Sequence, residues 1–372
     1  MRKTWPILGL VILCIGTSAC KKREKQQQPE ARKIHIQEGY SETFIQALQQ
    51  QEKSIEVSTL GMNLNQVQAV RLVLRTWPNK RVITVAFKGG SAELRKQVSL
   101  AVKPWSDVAN ITLDFGYDPN AANYREWSTS DTQYRADVRI SFDSQPEPGY
   151  WSAIGKDSIK LSLRPPNIAS MNFEGFADEL PDDWRATTLH EFGHALGFAH
   201  EHQSPNSPCD QEYRWSDDPG YMRTQNIHHE FVPDNQGRKP GIYTVLGGAP
   251  NRWSPATIDF NLKQFAASTD WYLTSFDQSS IMKYVFQDWM YRDIVASTKS
   301  GCYGSPNLVL SAEDQKAAGA AYPRDPQLVK QLLYERMQVS HQILTRKHLS
   351  PQLRLEFKSI AADLEKSRRQ MK

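Results

Sequence analysis

No apolar run in this 372-residue chain reaches the ~18 residues that a membrane-spanning helix needs, which excludes a polytopic membrane protein. Glycine (20) and proline (21) are not in excess, so the chain is neither collagen-like nor low-complexity. It has no visible internal repeat and no strong charge of one sign: the formal net charge is only +4. Even that excess sits at the ends. Residues 21–33 hold six basic side chains against two acidic ones, residues 324–372 hold eleven against five, and the body between them is net negative. A nucleic-acid-binding core would instead show a basic face on the folded domain, so no nucleic-acid partner is expected. What is present, 39% hydrophobic and 23% charged residues, describes a globular chain with room for one large or two ordinary domains.

The N-terminus reads as an address. Arg2 and Lys3 precede an apolar stretch and then Gly16-Thr17-Ser18-Ala19-Cys20, which predicts a cleaved export signal over 1–19. Cys20 after Ser18-Ala19 resembles the lipobox of bacterial lipoproteins. That resemblance implies a lipidated Cys20 as mature N-terminus and membrane contact through its lipid anchor. Lys21, rather than Asp, then implies the outer membrane over inner-membrane retention, with the periplasm or cell surface as the wider expectation. Thr17 departs from the aliphatic residue preferred there, so simple secretion is the alternative. With Cys14 in the signal, Cys209 and Cys302 remain, and an even pair in an exported chain is a disulfide candidate. It would close a loop of roughly ninety residues, worth about 4–5 kcal/mol in the loop-entropy account.

Residues 20–74 read as a basic, Gln-rich tether followed by a possible pro-segment. The β-branched run 82–87 predicts a strand, and Ser91 caps a helix that stops before Pro104. Alternating runs at 111–115, 138–142 and 159–164 predict half-buried strands, with a last short strand near 171–173. A helix opens near Asp182 and Asp183 and runs through Leu196. Residues 203–279 look like long ordered loops. A capped helix covers 310–322, and an amphipathic helical hairpin covers 326–370, with Leu353, Phe357, Ile360 and Leu364 as one apolar stripe. The fold class is α+β.

The chemistry lies in His190-Glu191-Phe192-Gly193-His194-Ala195-Leu196-Gly197-Phe198-Ala199-His200. On a helix, His190 and His194 share one face at i and i+4, so both imidazoles reach one metal. Glu191 lies beside that face, placed to hold a metal-bound water. Gly197 ends the helix, since glycine takes a left-handed turn cheaply. The chain then doubles back to bring His200 as a third nitrogen. Three His and an open position describe a catalytic zinc rather than a closed structural one. His202, His228 and His229 are expected to be solvated.

This stretch resembles the metzincin zinc motif, with Glu201 typical of astacins. The resemblance implies Zn2+ as cofactor, a twisted mixed sheet plus an active-site helix over 75–323, and a C-terminal helical hairpin over 324–372. It further implies a zinc endopeptidase acting on polypeptides. Ser280-Ile281-Met282-Lys283-Tyr284 is similar to the astacin Met-turn, which implies support of the site by Met282 and a ligand or oxyanion role for Tyr284. Lys283 stands where astacins usually carry His. The resemblance also implies a substrate paired with an edge strand, for which 159–164 is the expected element. Neither an aspartate-switch nor a cysteine-switch segment is seen upstream. A zinc-bearing, non-proteolytic peptide-binding surface lipoprotein is the alternative function. The oligomeric state does not follow from the sequence.

Overall fold

The computed structural model describes residues 38–266, 275–299, 301–304 and 307–370. The export signal, the lipidation candidate Cys20 and the tether up to 37 lie outside the described residues.

An extended Glu38-Gly39-Tyr40 leads into two helices, α1 (Glu42–Ser58) and α2 (Leu64–Arg75). Both start on side-chain caps: Ser41 accepts from the Phe44 N–H, and Asn63 forms a reciprocal capping box with Gln66. The run after Arg81 becomes β1 (Val82–Lys88), and the Ser91-capped helix is α3 (Ala92–Ala101), followed by α4 (Lys103–Val108). β2 (Thr112–Asp114), β3 (Val138–Ser141), β4 (Tyr150–Ser152) and β5 (Met171–Phe173) complete a sheet in the order β2-β1-β3-β5-β4. All neighbours are parallel except β4, which pairs antiparallel with β5 and forms one edge.

The expected strand at 159–164 is not one. Residues Gly155–Ile159 form a 3-10 turn, and Leu163 and Arg164 both donate back to the Lys160 carbonyl. The alternation there is real, but the polar side chains find partners that favour a turn. Lys160 pairs with Asp157 three residues earlier at 3.3 Å, and Arg164 turns inward onto Glu147. The sheet edge falls to β4.

α5 (Trp184–Ala195) carries the zinc motif against the sheet. Its apolar side packs into a core that includes Val85, Phe87, Val98, Trp105, Phe192, Leu196 and Met282. Two buried indoles fix its backbone: Trp105 donates to the Leu189 carbonyl at 2.9 Å and Trp77 to the Ala195 carbonyl at 2.7 Å.

Among the described residues of the segment expected as long ordered loops, most are loop, and short elements punctuate them: α6 (Cys209–Glu212), a hairpin of β6 (Thr224–Gln225) and β7 (Phe231–Val232), α7 (Ile242–Gly247) and α8 (Pro255–Leu262). With α9 (Asp293–Thr298) these surround a second core of Cys209, Tyr213, Ile242, Ile258, Tyr284, Tyr291 and Cys302. The Cys209–Cys302 disulfide is formed. α10 (Ala312–Ala321) opens on a Ser311–Asp314 capping box. α11 (Pro326–Leu344) and α12 (Pro351–Gln370) are the C-terminal hairpin. Its apolar stripe is not left to solvent. Ile343, Leu349, Leu353 and Phe357 pack on Ile55 of α1 and on Val70, Val73 and Leu74 of α2. Each fully buried side chain of this size contributes about 1.5–3 kcal/mol.

Candidate active site

Helix α5 presents His190 and His194 one turn apart. The helix ends at Ala195, and Gly197 follows with φ +104°, a value that disfavours any residue with a Cβ. Gly193 answers a packing need: a Cβ there would run into the Met282 sulfur, so Met282 lies directly against the helix. The reversal after Gly197 brings His200 back. His190 Nε2 and His194 Nε2 lie 3.1 Å apart, and His194 Nε2 and His200 Nε2 lie 3.0 Å apart.

The other ring nitrogen of each histidine has its own partner. His190 Nδ1 faces the Ile281 carbonyl at 2.6 Å, His194 Nδ1 the Phe198 carbonyl at 2.7 Å, and His200 Nδ1 the Gln203 side-chain oxygen at 3.0 Å. These acceptors hold the protons on Nδ1, so three Nε2 lone pairs converge on one point. Such an arrangement is repulsive without a cation between the lone pairs. Glu191 is buried, and both its carboxylate oxygens lack a protein partner. Burial, then the nearby Glu38 charge, pushes its carboxyl well above the usual range. Convergent imidazole nitrogens with an orphaned carboxylate beside them fit zinc and a polarised water.

A fourth group completes the cluster, and sequence reasoning missed it. Glu38, which together with the three histidines could hold a metal ion, reaches all three Nε2 atoms: His190 at 2.6 Å, His194 at 2.9 Å and His200 at 2.8 Å. Burial pushes the Glu38 carboxyl up, but His190 and His200 outweigh it and hold it well below the usual range. An upstream carboxylate therefore lies on the histidines, in the stretch read as a possible pro-segment and without an aspartate-switch or cysteine-switch motif. The available signal was local: an acidic residue, a glycine and an aromatic just ahead of the Ser41 cap.

Tyr284 lies at the same point. Its hydroxyl donates to the Glu38 main-chain carbonyl at 2.7 Å, and its ring centroid is 4.5 Å from that of His200. Burial pushes its phenol well above the ordinary value. His202, expected in solvent, is buried instead. It stacks on Tyr284 at 4.1 Å and its Nε2 faces the Asn261 carbonyl. His228 and His229 are exposed, as expected. Lys283 turns inward to donate to the Cys302 carbonyl at 2.9 Å, and burial lowers its pKa to about 8. Glu201 accepts from the Asp277 N–H at 2.8 Å, which ties the turn after the third histidine to the segment leading into the Met-turn.

No family model matches the chain, and no curated relative matches it. Solved structures do. Myroilysin is 30% identical over 68% of this chain and 97% of its own, with a TM-score of 0.47. A second myroilysin structure matches at 28% identity over 67% of this chain and 86% of that one, with a TM-score of 0.40. That level of identity runs across nearly the whole myroilysin chain, and the sequence carries the full zinc motif and a Met-turn-like stretch that departs only at Lys283. The chain belongs to the astacin-like metzincin zinc proteases. It is a zinc-dependent metalloendopeptidase, and its substrates are polypeptides. High choriolytic enzyme 1, a hatching-enzyme zinc protease from the medaka fish Oryzias latipes, also matches, at 16% identity over 64% of this chain and 87% of that one with a TM-score of 0.32. All three superpositions fall below 0.5, and membership rests on sequence identity and motif rather than on them.

Proposed function

We propose that His190, His194 and His200 hold the zinc of this metalloendopeptidase, and that Glu191 is its general base. The observation that carries the reading is the convergence of three Nε2 lone pairs beside the buried, unpartnered Glu191 carboxylate. Zinc bound there supplies a Lewis acid that lowers the pKa of its water toward ~7 and polarises the scissile carbonyl. Glu191 takes the proton of the attacking water and delivers it to the leaving amine, a role typically worth about 10²–10⁴-fold. The Tyr284 hydroxyl, once released from the Glu38 carbonyl, is positioned to donate to the oxyanion. Met282 holds α5 from below and Gly197 provides the reversal that aims His200. Substrate main chain pairs with the edge strand β4, as the Gly39 N–H already does with the Tyr150 carbonyl at 3.3 Å.

One observation favours a second element of this reading. Glu38 meets all three Nε2 atoms, so the described state is a latent one in which the chain's own carboxylate fills the open position. On this reading residues 38–58 act as a blocking segment, the catalytic domain spans 75–323, and 324–372 are an extension packed on the blocker.

The enzyme acts after export. The signal-like residues 1–19 and the Cys209–Cys302 disulfide support export. Lipidation of Cys20 and an outer-membrane location are the finer proposals, resting on Ser18, Ala19 and Lys21 and checked by mass spectrometry of the N-terminal peptide. A non-proteolytic binding lipoprotein is not favoured. Glu191→Ala tests the roles: it should retain zinc and fold while losing at least about 10²-fold in casein or peptide cleavage. Wild-type cleavage by that variant would contradict the assignment of the base.

A further inference from the structure

Residues 38–40 are held as a peptide ligand would be. Gly39 lies on the free edge of β4. The Asn261 side chain, 1% exposed at the end of α8, pairs with both main-chain groups of Tyr40: Oδ1 accepts from its N–H at 2.9 Å, and Nδ2 donates to its carbonyl at 3.4 Å. The Tyr40 ring is 6% exposed and lies edge-on to Phe44 at 5.0 Å and to Phe260 at 6.5 Å. Its hydroxyl donates to the Ser152 carbonyl of β4 at 2.9 Å. Without residues 38–48, the catalytic body keeps an apolar surface of Trp151, Ala153, Leu163 and Phe260. The Asn261 Oδ1 and the Ser152 carbonyl are then left for another ligand, while Asn261 Nδ2 stays bonded to the Thr257 carbonyl at 3.0 Å.

We propose that this surface is a substrate subsite selecting tyrosine, two positions along the chain from the residue that faces the zinc ligands, with Asn261 positioning the peptide main chain. The proposal rests on the peptidase reading above. Three physical points support it. Asn261 Oδ1 loses its Tyr40 N–H partner when the segment departs, while Nδ2 keeps the Thr257 carbonyl, and a ligand main-chain N–H at the same place restores the lost bond. A site built to hydrogen-bond a hydroxyl rejects an analogue lacking it far more strongly than an apolar pocket rejects a missing methylene. The residue before the tyrosine must be small: a Cβ at Gly39 would meet Trp253 Cζ2 at 2.6 Å and Asn261 Cγ at 3.0 Å. The preferred sequence is therefore Gly-Tyr.

The test uses the full-length chain carrying Glu38→Ala, Gly39→Pro and Tyr40→Ala, which removes the carboxylate, the Gly39 N–H bond to β4 and the tyrosine side chain so that a peptide can displace the segment, with Glu191→Ala added for binding. Peptides with Gly-Tyr, Gly-Phe or Gly-Ala on either side of the scissile bond are titrated by calorimetry and assayed for cleavage. The Gly-Tyr peptide should bind about tenfold or more tighter than Gly-Ala, with Gly-Phe between them. Asn261→Ala should weaken all three alike, through KM rather than kcat. Phe260→Ala should narrow the ratio between tyrosine and alanine. Tyrosine and alanine peptides binding within twofold of each other would overturn the subsite, whatever the cleavage rates. Ranked binding without cleavage of any peptide would instead overturn the peptidase reading and leave the subsite standing. A second variant does not depend on releasing Glu38: full-length Tyr40→Ala should gain thermal stability from p-cresol more than from toluene, and wild type from neither. Equal effects of the two ligands would also count against a hydroxyl-reading site.

Discussion

Replacing Glu38 by alanine should raise the activity of the full-length chain by roughly 10–100-fold. The magnitude follows from what alanine removes and what it leaves. It removes one carboxylate contacting three imidazole nitrogens at 2.6, 2.9 and 2.8 Å. With zinc between the three Nε2 lone pairs and the carboxylate, Glu38 would be a further ligand, and losing one such charged contact is worth about 1.5–3 kcal/mol net. It leaves the Tyr40 pairing with Asn261, the Tyr40 bond to Ser152, and Phe44, whose ring lies 3.6 Å from the Arg164 guanidinium. It also leaves the far end of α1 in place, where Ser54 meets Ser350 at 2.9 Å and Glu52 is ion-paired with Arg71 and Arg75. The segment therefore stays nearby but spends more time off the three histidines, by about tenfold per 1.4 kcal/mol lost. Glu38→Gln, which keeps the size and drops the charge, should fall between the two. Initial rates on a quenched-fluorescent peptide library, with a chelator control and metal content measured in parallel, provide the assay. A zinc-loaded Glu38→Ala chain cleaving at the wild-type rate would refute the blocking role.

Phe357→Ala should cost about 3–5 kcal/mol of unfolding free energy, because Phe357 is fully buried where α12 meets α1 and α2. Urea denaturation reads this, and a loss under 1 kcal/mol would mean that the hairpin is not part of the folded body. Peptide mapping without reduction should recover Cys209 and Cys302 bridged. Cys209→Ser with Cys302→Ser should lower stability by up to about 4–5 kcal/mol, seen as a lower melting temperature under non-reducing conditions.

The parts of the fold legible in the sequence were those set by local spacing. His190 and His194 at i and i+4, the turn at Gly197 and the caps at Ser91 and Ser311 each encode their geometry within a few residues. The hairpin stripe through Leu353 and Phe357 was equally visible, although not the surface it covers. What stayed hidden depends on tertiary placement. Glu38 lies 152 and more positions from the histidines it meets, and the acidic residue, glycine and aromatic ahead of the Ser41 cap do not by themselves say which surface they reach. His202 reads as a loop histidine, but stacking on Tyr284 buries it. The alternation at 159–164 matched a strand, yet ion pairs made by Lys160 and Arg164 decided for a turn. Asn261, in a stretch without clear periodicity, gains its place only because α8 packs beside the extended residues ahead of α1.

The most direct test of the central claim is metal analysis of the untreated, full-length protein together with His194→Ala and Glu191→Ala. Wild type and Glu191→Ala should each hold one zinc per chain, because the proposal makes Glu191 a base and not a ligand, while His194→Ala should lose it. A folded wild-type chain with zinc near zero, or a His194→Ala chain that still binds a full equivalent, would contradict a zinc site built from His190, His194 and His200.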